Sequence, residues 1–63
     1  MKILAIECSA ITASVSVYED AKQLSYGFIN AGLTHSQTLM PLVKNALELS
    51  NTAVKDIDYF AVS

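Results

Sequence analysis

Arginine and tryptophan are absent from the 63 residues, and cysteine, histidine and proline occur once each. Each scarcity excludes something. Four lysines against six acids give a net charge of −2, which is not the basic footprint that nucleic-acid binding rests on, and the bidentate contacts that arginine supplies are unavailable. Direct RNA or DNA recognition by this segment is therefore not expected. One cysteine cannot form an internal disulfide, and one cysteine with one histidine cannot build a zinc site. A lone thiol suits a reducing interior, so the expected location is the cytoplasm. No apolar run approaches the roughly 20 residues a membrane span needs. The N-terminus carries only Lys2, and its apolar stretch breaks at Glu7, unlike a signal peptide.

What is present looks like a core. The chain is 52% hydrophobic and 16% charged, more apolar than average globular usage. So short a chain buries too little surface to be robust without staples, and none are visible. The expectation is that its apolar surface is covered by further chain or by a partner. A self-contained module would instead fold cooperatively as a monomer.

Ile3 to Glu7 reads as a strand buried on both faces. From Thr12 to Tyr18, Ala13, Val15 and Val17 alternate with Thr12, Ser14, Ser16 and Tyr18, the period of a half-buried strand. Glu19-Asp20-Ala21-Lys22 is a polar turn without the glycine a tight hairpin prefers. Leu24, Tyr26 and Phe28 alternate with Gln23, Ser25 and Gly27 to give a third strand. Asn30 to Leu33 is expected as loop hinged at Gly32. Thr34-His35-Ser36-Gln37 fits a capping box and opens a helix from about His35 to Ser50, with Pro41 expected to kink it or open its first turn. A polar connection with a short turn at Val54-Lys55-Asp56 leads to a fourth strand, Tyr59 to Ser63.

The order is strand, strand, strand, helix, strand. Short connections make the first three strands an antiparallel meander, and a helical crossover makes the fourth parallel to an earlier one. This resembles the first half of a ribonuclease-H-like α/β domain, the fold of actin-like ATPases and sugar kinases. The expectation is one such domain, truncated after the fourth strand.

At about 100° per residue, Leu39, Leu42, Ala46 and Leu49 form one helical stripe expected to face the sheet. Ser36, Met40, Val43 and Leu47 form a second stripe beside it. The combined arc is wider than the ~100° a surface helix needs. The second stripe suits the next helix of the same domain, or a partner seam with coiled-coil spacing, or both.

Three chemistries are weighed. Nucleotide-handling proteins of this fold carry an acid, a glycine and a hydroxyl residue in the first hairpin. Here Glu7-Cys8-Ser9-Ala10 has the acid and hydroxyl without the glycine, a vestige of a phosphate loop rather than a working one. A nuclease needs clustered carboxylates for two metal ions. Glu7 and Glu48 could supply two, but Tyr59 to Ser63 contains no acid, and Asp56 and Asp58 precede that strand at its wrong end. Cys8 with His35 could pair as nucleophile and base. Nothing in the sequence orients that histidine, so Cys8 reads as a small apolar residue.

Several segments together resemble the TsaB (YeaZ) family, the bacterial threonylcarbamoyladenosine biosynthesis proteins. They are Met1-Lys2-Ile3-Leu4-Ala5-Ile6-Glu7-Cys8-Ser9, Ser14-Val15-Ser16-Val17, His35-Ser36-Gln37-Thr38-Leu39-Met40-Pro41-Leu42, and Asp56-Ile57-Asp58-Tyr59-Phe60-Ala61-Val62-Ser63. The resemblance covers the whole chain. It implies a catalytically inactive relative of TsaD, the threonylcarbamoyl transferase acting on tRNA. Such a subunit has no catalytic residues, cofactor or metal of its own. It pairs with a TsaD-like subunit, or with itself as a homodimer, through its first helices, and a TsaE-like ATPase joins the complex. On that resemblance Ser36, Met40, Val43 and Leu47 lie on the interface helix. Glu7, where the family often has Asp, begins an Ile-Glu-x-Ser stretch that also opens TsaD-like chains. The alternative is therefore a TsaD-like transferase, or another actin-fold phosphate-handling enzyme using Glu7 and Ser9. A downstream histidine pair would mark the transferase; a Gly-Pro-Gly-Ser-Phe-Thr-Gly-Leu-Arg continuation would mark the scaffold.

Overall fold

The computed structural model describes the backbone of residues 1–30 and 35–63, and the side chains of residues 1–30 and 39–63. The expected capping box at Thr34 and the hinge at Gly32 lie outside the described residues. Strand β1 spans Lys2–Cys8, β2 Thr12–Glu19 and β3 Lys22–Asn30; helix α1 spans His35–Leu49; a 3₁₀ turn occupies Val54–Asp56; strand β4 spans Tyr59–Val62. The sheet order is β3-β2-β1-β4. β1 pairs antiparallel with β2 and parallel with β4, and β2 pairs antiparallel with β3. The meander and the parallel crossover strand expected from the element order are both present. β3 runs on through Asn30, which had been expected to open the following loop.

The β2–β3 hairpin closes with only Asp20 and Ala21 between Glu19 and Lys22. Asp20 takes the left-handed backbone, at φ 55°, where a glycine would normally be expected. A short acidic side chain is one of the few that visit this region at modest cost.

β3 departs from its expected alternation. Val17 pairs with Ser25 and Tyr18 with Gln23, so Leu24 is left over in a bulge. A bulge adds one residue and breaks the period of two. Leu24 packs against the core, whereas Tyr26 and Phe28 are exposed. Ser25, Gly27 and Ile29 instead lie in register with Val17, Val15 and Ala13, the buried residues of β2.

The core gathers Leu4, Ala13, Val15 and Val17 from the sheet, Leu42, Ala46 and Leu47 from α1, and Ile57 from the connection into β4. Leu4, Val15 and Val17 are almost wholly buried, each worth roughly 1.5–3 kcal/mol relative to exposure. α1 packs across β2 and β3. Two features set how closely it sits. The Ser25 hydroxyl donates to the Ala46 carbonyl at 2.8 Å in a buried bond. A Cβ at Gly27 would stand 2.7 Å from Cδ1 of Leu42, so any larger residue there requires the Leu42 side chain to shift.

α1 continues through Pro41 without interruption and ends in a Schellman cap. Thr52 N–H donates to the Leu47 carbonyl at 2.9 Å and Asn51 N–H to the Glu48 carbonyl at 3.1 Å. Asn51 holds the left-handed position at φ 53°, as this motif requires.

Candidate functional site

The end of the sheet where β1 and β4 finish side by side carries the candidate chemical groups. Ser63 N–H donates to the Ile6 carbonyl at 2.9 Å, and Cys8 N–H donates to the Ser63 carbonyl at 3.3 Å. The Glu7 and Cys8 backbone belongs to strand, in register with Ser14 and Ala13. The turn expected at Glu7-Cys8-Ser9-Ala10 therefore sits further on, at residues 9–11. Ser9 closes it: its hydroxyl lies 2.6 Å from that of Thr12 and accepts the Thr12 N–H at 3.2 Å, while its own N–H donates to the Thr12 carbonyl at 2.9 Å. The pattern Ser-x-x-Thr was the available signal for this closure, and the sequence reading passed over it.

Glu7 and Cys8 are both exposed. Beside them the sheet face away from α1 holds a shallow hollow of about 340 Å³, with Ala5, Ser14, Ser16 and Ala61 among its lining and Glu7 and Tyr26 at its margin. Its hydroxyls and one carboxylate could accept or donate hydrogen bonds. Among the described residues, no group of three or more His, Cys, Asp and Glu side chains could hold a metal ion.

The other candidate acids do not converge on Glu7. Glu48 is exposed on α1, and Asp56 lies in the 3₁₀ turn. Asp58 is committed at the opposite end of β4, where its carboxylate accepts the Lys2 N–H at 2.8 Å. The carboxylates that a two-metal site requires within a few ångströms of one another are thus spread over different ends of the sheet. The side chains of His35 and Ser36 lie outside the described residues, so the Cys8–His35 pairing has no described geometry.

The face of α1 differs in part from its expected division into two stripes. Leu42 and Ala46 are buried and Leu39 packs against the core, as expected. Leu49, expected to face the sheet, is 65% exposed. Val43 and Leu47 of the second stripe belong to this chain's own core, Leu47 being 8% exposed. The helix is rolled toward Leu47, which joins Ile57 in the core cluster. That placement depends on how the chain returns from α1 to β4, and periodicity along the helix carries no record of it. Met40, at 65% exposure, is the exposed member of the second stripe among the described side chains.

A mixed, open sheet of order β3-β2-β1-β4 with one helix packed on it defines a mixed α/β protein of ribonuclease-H-like topology. Neither the protein-family models nor the curated proteins contain a match to this chain. Solved structures do match. YeaZ from Pseudomonas aeruginosa superimposes with a TM-score of 0.88 at 25% identity, over 100% of this chain and 30% of that one. An uncharacterised protein with similarity to peptidase YeaZ, also from Pseudomonas aeruginosa, gives a TM-score of 0.88 at 24% identity, over 98% of this chain and 28% of that one. The chain has the fold of the N-terminal part of YeaZ (TsaB), and it spans less than a third of the length of these structures.

Proposed function

We propose that this chain is the N-terminal part of a TsaB-type subunit of the tRNA threonylcarbamoyladenosine machinery, a scaffold without catalysis of its own. The observation that carries the reading is the match to YeaZ along the whole chain, in keeping with the four sequence segments that resemble the same family. Within the hairpin the Ser9 hydroxyl closes the turn onto Thr12, and Glu7 is in register with Ser14 of β2. On this reading the protein pairs with a TsaD-like subunit, or with a second copy, through α1, and a TsaE-like ATPase joins them. Met40 is then the described residue best placed to enter the seam, because Leu47 and Val43 already serve the core.

The test is to mix the full-length protein with the TsaD-like subunit of its own source and measure complex formation by light scattering. Threonylcarbamoyl transfer to tRNA is assayed alongside, with each protein alone and with both. The expected result is a complex and no transfer by this protein alone. Met40→Asp should weaken the complex while leaving the thermal midpoint nearly unchanged. Transfer by this protein alone would establish the alternative, a TsaD-like transferase. Absence of any complex would overturn the scaffold reading.

A further inference from the structure

We draw no further inference here: the strongest candidate, the unpaired outer edge of β4 with the exposed Phe60 and Val62 upon it, carries nothing because nothing in the structure shows what covers it.

Discussion

Asp58 and Lys2 clasp each other where β1 and β4 begin to pair: the Asp58 N–H donates to the Lys2 carbonyl at 2.8 Å, and the Lys2 N–H donates to the Asp58 carboxylate at 2.8 Å. β4 has four residues, all exposed, so packing contributes little to its placement. The clasp anchors one end of the β1–β4 ladder, and the Ser63–Ile6 and Cys8–Ser63 bonds hold the other. Asp58→Ala removes one of the two bonds and should cost about 1 kcal/mol, the usual net worth of such a bond. Amide exchange should speed up at Lys2 and stay slow at Leu4. Asp58→Asn keeps an oxygen acceptor and should restore most of the protection. Equal exchange at Lys2 in all three proteins would show that the carboxylate does not hold the strand.

Leu47 and Met40 share a helical stripe yet should respond oppositely to the same change. Leu47 is buried and Met40 is mostly exposed. Leu47→Asp places a carboxylate among Leu42, Ala46 and Ile57 and should destabilise the fold by roughly 3 kcal/mol or more. Met40→Asp should stay within about 0.5 kcal/mol, as surface changes usually do. Urea midpoints of the two variants measure this directly. Similar losses in both would mean that Met40 is covered in the intact protein by something other than solvent. Leu47→Asp is consequently a poor probe of partner binding, since loss of fold and loss of interface would coincide.

The element order, the antiparallel meander, the parallel fourth strand and the short turn at Val54–Asp56 were legible because each rests on local pattern. Alternation marks β2, an apolar run marks β1, and helical spacing marks α1. The misreadings share a different cause. Leu24 breaks the alternation of β3 because β2 lacks a residue to pair with it, a fact about two strands that neither strand records alone. Leu49 and Leu47 exchange roles because α1 lies on the sheet with Leu47 in the core and Leu49 exposed, an orientation set by the whole tertiary packing. At the candidate site, Glu7 and Ser9 could be read from the sequence as an acid and a hydroxyl near the first hairpin, but the commitment of Ser9 to Thr12 depends on the loop between them. The proposal that the first helix takes part in pairing rests on resemblance alone, and within its stripe burial leaves Met40 exposed while Leu47 serves the core.

Asn51 ends α1 by accepting a left-handed backbone at φ 53°, which lets Thr52 and Asn51 cap the Leu47 and Glu48 carbonyls. Glycine adopts this conformation without a Cβ penalty. Asn51→Gly should therefore be neutral or slightly stabilising. Asn51→Val adds a branched Cβ where the left-handed region costs roughly 1–2 kcal/mol, and should lower the thermal midpoint by a corresponding amount. A valine variant as stable as the parent would mean that the cap can re-form with another backbone geometry at little cost.

The Met1 ammonium lies 3.0 Å from the Asp20 carboxylate, with both groups largely exposed. Its pKa is raised above the ordinary 8.0, first by the hydrogen bond to Asp20 and then by the charge of that carboxylate. A cationic group whose folded-state pKa is raised contributes stability that is fully present below the unfolded value. That contribution fades as pH rises past 8 and through the folded-state value. The informative quantity is the difference between the parent and Asp20→Asn. Asparagine suits the left-handed backbone at this position and leaves the Asp20 N–H to Met1 carbonyl bond of 2.8 Å in place. The substitution therefore removes the charge without straining the turn. The parent should lose its small advantage over the variant as pH rises above 8 and through the raised folded-state value, and the advantage should shrink in high salt, which screens exposed pairs. An advantage that persists unchanged in high salt and does not decline as pH rises above 8 would assign the role of Asp20 to the turn backbone alone.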